Sequence, residues 1–263
     1  MPACQSNGFH NEDAAGILYS AKLINQGGLP LIDTLELKAP GSFFVTAIFW
    51  RIFPESIAAV QILGMVWSIL AMLGIYAGGR VLFDSRAGLV SATAYMLLSP
   101  IMDSMDINYG AWMITPMIWS VVCFMRWMRT ERRSWLFIAG LLLAFAGLLK
   151  RQGAVLTPLL FGGIGYLCYT RSKETYLSRF GRDSSILLSG ILVGFLPILF
   201  FYLVNGALVS FAEHYFFSPG GWKYLDTLSW DEKSVRLVDG ALGFLEYGSI
   251  ASVLAVVGLI GWV

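Results

Sequence analysis

The 263-residue chain is 57% hydrophobic and only 13% charged, about half the charged fraction of roughly 25% found in water-soluble domains. Its formal charge of +1 argues against a nucleic-acid partner. Cys4, Cys123 and Cys168 form no CxxC pair, so neither a disulfide framework nor a zinc site is indicated, and the composition is that of an all-α, polytopic membrane protein.

In chain order, residues 11–26 read as a short amphipathic helix with Ile17, Leu18, Ala21 and Ile24 on one face. Gly27, Gly28 and Pro30 stop it. Residues 31–39 read as a loop. Residues 40–53 are apolar and aromatic but shorter than the ~20 residues a span requires, which predicts a helix lying at the interface with Trp50 and Arg51 near the headgroups. Apolar runs at 57–79, 87–101, 111–127, 135–149, 154–169, 186–204 and 241–263 then predict seven spans. The domain organisation follows: an outer-face segment of juxtamembrane helices over residues 1–55, and a transmembrane bundle over 56–263.

Charge orients the bundle. Arg80, Arg86, Arg126, Arg129, Arg132, Arg133, Arg171, Lys173, Arg179 and Arg182 fall in one alternating set of connections, and an excess of Lys and Arg marks the cytoplasmic side. The other set, outside, holds the N-terminal stretch, the 103–109 turn, the 150–151 turn and the 205–239 loop. The opening ten residues have neither a basic n-region nor an apolar core, so they are no signal peptide. An N-terminal segment placed outside without one, and an apolar run at the end, suggest a fragment missing a first span and a C-terminal portion; a short translocated N-terminal tail is the alternative.

Several constellations on the outer side carry chemistry. Glu12-Asp13 serves either as a helix cap or as a catalytic carboxylate pair; Asp33 and Glu36 in the same segment favour chemistry, because a cap alone does not require them. Lys38, two residues before Pro40, is either a snorkelling lysine or a phosphate contact at headgroup height. Lys150-Arg151 puts two cations in a short outer turn against the charge bias, which points to an anionic ligand. Asp103, Asp106 and Asn108 read as a solvated turn, and Trp222, Tyr224 and Trp230 as an aromatic belt or an acceptor-binding lid.

This succession of an acidic pair, a helix bearing Tyr19 and Ala21, a Gly-Gly-Leu-Pro turn, a Lys-x-Pro element and serial spans resembles the GT-C superfamily of membrane glycosyltransferases. It is most similar to the branch of protein O-mannosyltransferases and aminoarabinose transferases. The resemblance implies inverting transfer of a sugar from a polyprenyl-phosphate donor to a lipid, glycan or protein acceptor on the extracytoplasmic face, with bacterial inner or plasma membrane as the setting. It further implies Asp13 as general base with Glu12 as the fallback, Lys38, Lys150 and Arg151 toward the donor phosphate, and Asp33 or Glu36 orienting the acceptor or binding a divalent metal ion. A transporter or flippase of lipid-linked sugar is the competing class. It would bury ionisable groups at mid-bilayer, and the spans contain almost none.

Overall fold

The computed structural model describes residues 12–34, 38–99, 108–171 and 173–217, with the backbone alone at 12, 13 and 217. All regular structure among them is helical: α1 (Glu12–Asn25), α2 (Gly41–Ile52), α3 (Ile57–Leu82), α4 (Ser85–Leu98), α5 (Tyr109–Thr130), α6 (Ser134–Leu149), a 3-10 turn (Arg151–Val155), α7 (Leu156–Arg171), α8 (Tyr176–Val204), α9 (Leu208–Ala212) and a π turn (Glu213–Phe217). By contacts the chain divides into Met1–Tyr215 and Phe216–Val263; the helices up to α9 lie in the first unit. The predicted span at 241–263 and the loop carrying Trp222, Tyr224 and Trp230 lie outside the described residues.

Helix boundaries follow local chemistry. Ser56, Asp84 and Asn108 cap α3, α4 and α5, each side chain accepting the N–H three residues on, which satisfies donors that a helix start leaves unpaired. Pro116 inside α5 deprives the Trp112 carbonyl of its helical donor. The Trp67 indole N–H on α3 supplies the replacement at 2.7 Å, so the proline also locks two helices together. The structure extends the last predicted span within this unit: α8 begins at Tyr176, ten residues before the apolar run, because its first turns carry Arg179, Arg182 and Asp183 at the bundle's end.

Among the described residues four helical segments, Ile57–Leu82, Tyr109–Thr130, Arg151–Arg171 and Tyr176–Val204, are long and apolar enough to cross a membrane. The α6 helix is shorter, yet it is the hub, packing most extensively on α8 and α5. It buries Leu136, Ala139, Leu143, Ala144 and Leu149. Its contact with α8 is a backbone-to-backbone approach: a Cβ on Gly140 would strike the Leu187 carbonyl, and one on Gly190 the Phe137 carbonyl. Small residues at such crossings let membrane helices pack by van der Waals contact where lipid removes the hydrophobic incentive. The outer faces of α3 (Ile62, Met65, Ile69, Leu73) and α8 (Leu188, Leu192, Leu196, Phe200) expose their apolar side chains. Such stripes would be an aggregation liability in water; in a bilayer they meet their solvent. The protein is an integral membrane protein.

Connections sort to two ends of this bundle. At one, Arg129 donates to the Leu82 carbonyl, and Arg171 to the Met128 carbonyl and Glu131. At the other, Tyr202 donates to the Pro30 carbonyl and Tyr215 to the Gly147 carbonyl, both at 2.7 Å. The first end carries the basic connections.

Candidate active site

At the second end α1 and α2 form a helical hairpin over the bundle. Of the predicted α1 face, Ile17, Ala21 and Ile24 are buried together with Ala14 against Phe43 and Ala47 of α2 and Tyr109 and Trp112 of α5, while Leu18 packs there half-buried. Gly27, at φ +90°, ends α1 in a left-handed conformation that costs glycine little. The turn that follows is tightly built. The Asp33 carboxylate accepts the Leu29 N–H at 2.7 Å, Thr34 accepts the Leu31 N–H, and Leu31 itself sits buried at φ 68°. Asp33 therefore holds the turn's shape.

The α2 helix starts hard against α6. A Cβ on Gly41 would lie 2.6 Å from the Leu148 carbonyl, so only glycine lets the segment carrying Lys38 come this close to the end of α6. From there the Lys38 ammonium lies over the Tyr109 ring, 4.9 Å from its centroid. Tyr109 is the first residue of α5, fully buried and edge-on to Phe43. Its own position is thus fixed by packing.

Lys150 arrives at the same place from the other side. It terminates α6 and leads into the 3-10 turn, whose return onto α6 requires Gly153, since a Cβ there would fall 2.5 Å from the Ala146 backbone. The Lys150 Nζ lies 3.6 Å from where a Gly110 Cβ would be. Two lysines 112 residues apart in sequence thus lie against neighbouring residues, Tyr109 and Gly110, at the start of a 22-residue helix capped by Asn108. A helix N-terminus presents N–H groups and a positive dipole end, and with two ammonium groups beside it the locus suits an anion.

Arg151 parts company with Lys150. Its guanidinium donates to the His214 carbonyl at 3.2 Å and lies over the Tyr215 ring at 5.6 Å. Burial pushes the Tyr215 phenol up to about 12, with Arg151 pulling the other way, so the ring stays neutral and its hydroxyl keeps donating to Gly147. Arg151 clasps the π turn to the bundle.

Glu12 and Asp13 form the first turn of α1; their side chains lie outside the described residues, as do Glu36, Asp103 and Asp106. Among the described residues no group of three His, Cys, Asp or Glu side chains gathers to hold a metal ion. Asn108 and Tyr109 correct the expectation of a solvated turn: one caps a helix, the other is core. An Asn directly before an apolar run is the signal that could have found them. No comparable signal pointed to His214 and Tyr215 as partners of Arg151.

The family model described as dolichyl-phosphate-mannose-protein mannosyltransferase matches residues 37–203. That range includes Lys38, Lys150, Arg151 and the helix start at Tyr109, and begins after Glu12, Asp13, Asp33 and Glu36. Comparison with curated proteins and with solved structures gave no match.

Proposed function

The chain belongs to the dolichyl-phosphate-mannose-protein mannosyltransferase family and is a membrane glycosyltransferase of the GT-C type, and we propose that it moves a sugar from a polyprenyl-phosphate donor to an acceptor on the extracytoplasmic face, with inversion. The convergence of Lys38 and Lys150 on the start of α5 carries this reading. A departing lipid phosphate gains negative charge as the glycosidic bond breaks, and preorganised cations beside a helix N-terminus stabilise that charge where it develops. Phosphate is a sufficient leaving group without a carboxylic acid to protonate it, unlike the alcohol expelled in glycoside hydrolysis.

The acceptor needs a base. Asp13 takes its proton in this reading, with Glu12 as the fallback one residue away; both open the helix whose far face is locked against Phe43 and Tyr109. The hairpin thereby carries the base and Lys38 while the bundle carries Lys150, so their separation depends on how the hairpin packs on the bundle. Asp33 acts at a remove, shaping the turn between them, and Glu36 is the remaining candidate for acceptor or metal contact. Arg151 supports the phosphate locus through the backbone it fixes. The family match favours transfer over the transporter or flippase alternative.

The test is Asp13→Asn in the membrane-embedded enzyme, assayed with polyprenyl-phosphate sugars. Transfer should fall by about 10²- to 10⁴-fold, the range a general base supplies, with expression and donor binding intact. Normal turnover by this variant would overturn the assignment, and loss of turnover in Glu12→Gln instead would move it one residue.

A further inference from the structure

The basic end of the bundle holds a recess of about 320 Å³ between the end of α5, the start of α6, the end of α7 and the start of α8, lined among others by Trp127, Arg133, Arg171, Arg179, Arg182 and Asp183. Four guanidiniums face two carboxylates there, Glu131 and Asp183, a surplus of two positive charges. Simple anchoring by basic loops would splay these arginines toward lipid headgroups. Instead all four line one cavity, and two of them, Arg133 and Arg182, are drawn to a buried anion there. The Asp183 side chain is only 10% exposed, and Arg133 and Arg182 both approach its Oδ1 at 3.5 Å through Nε. Arg171 is held across the mouth by Glu131 at 2.9 Å and by the Met128 carbonyl. Arg179 has no carboxylate within salt-bridge reach among the described residues.

We propose that this recess binds a phosphate anion, either the phosphodiester of an anionic membrane lipid or a soluble phosphate, at the opposite end of the bundle from Lys38 and Lys150. The surplus charge matches phosphate, and guanidiniums offer it paired donors that a lysine cannot. Trp127 and Leu167 give the recess an apolar wall, and basic pockets between membrane helices are where lipid phosphates are recognised. The bound anion would bridge α5–α6 to α7–α8 and give Arg179 a counter-ion.

Native mass spectrometry of the whole protein, released from micelles containing phosphatidylglycerol or phosphatidylcholine, tests the lipid source. Thermal unfolding in millimolar inorganic phosphate tests the soluble one. The wild type should retain phosphatidylglycerol at least fivefold over phosphatidylcholine, or gain melting temperature with phosphate, and Arg179→Ala should lose that preference or gain while keeping sugar transfer. Lys150→Ala, at the other end, should leave the Arg179-dependent part of both readouts in place. Phosphate stabilisation without lipid retention would support the anion site and assign it to the soluble source. Wild-type behaviour of Arg179→Ala in both assays, or loss confined to Lys150→Ala, would overturn the site.

Discussion

The two ends of the bundle handle positive charge differently. At the basic end arginines are tied to Glu131, Asp183 and helix carbonyls; at the other, Lys38 lies on an aromatic ring and Lys150 beside Gly110. A guanidinium fork suits fixed, multidentate contacts, whereas an ammonium is a compact charge on a flexible stem. The first arrangement braces helices and frames a recess, and the second places positive charge at a helix start. Equal counts of cations would hide this contrast; their partners reveal it.

The contrast is sharpest under substitution. Combined Lys38→Ala and Lys150→Ala should lower kcat/KM for the lipid donor most, by about 10²- to 10⁴-fold if each removes a charge-assisted contact of about 1.5–3 kcal/mol, with unfolding unchanged. A double-mutant cycle measures their coupling, and strict additivity would mean that they do not share one phosphate. Gly41→Val should reduce transfer about tenfold or more while the protein still inserts, because the added carbons collide with the Leu148 carbonyl and a small misplacement of reacting groups is expensive. Wild-type kinetics there would show that the position of Lys38 is immaterial.

Smaller effects belong to bracing contacts. Tyr215→Phe deletes the bond to the Gly147 carbonyl and should cost about 1 kcal/mol of stability, read as a lowered unfolding midpoint with near-normal donor affinity. Glu131→Gln breaks an ion pair in which the carboxylate is mostly exposed, so its stability cost should stay below about 1 kcal/mol. A large loss of transfer in Glu131→Gln would erase the division of labour between the two ends.

Much of this was legible in the chain. The α1 face, its Gly-Gly stop and the short α2 helix follow from apolar spacing and from glycine and proline chemistry, which are local. The alternation of basic connections anticipated the sorting of Arg129, Arg171 and Glu131 to one end. Lys150 could be singled out because a cation against the charge bias is visible without coordinates, and Lys38 by its place just before Pro40.

What the sequence could not settle was which groups meet. Lys150 and Arg151 are neighbours in the chain, yet one faces α5 and the other the π turn, because an extended residue at the end of α6 sends successive side chains apart. Tyr109 read as part of a wet turn and proved to be a buried platform, since its environment is supplied by Phe43 and Lys38 from far earlier in the chain. The recess at the basic end likewise needs four helix ends brought together. By itself the sequence determined that the chain is a helical membrane protein, roughly where most of its helices lie, and which charges are unusual. Tertiary structure alone decided which of those charges share a site, because nonlocal packing, through contacts such as Gly41 on Leu148 and Gly140 on Leu187, sets distances that no local pattern encodes.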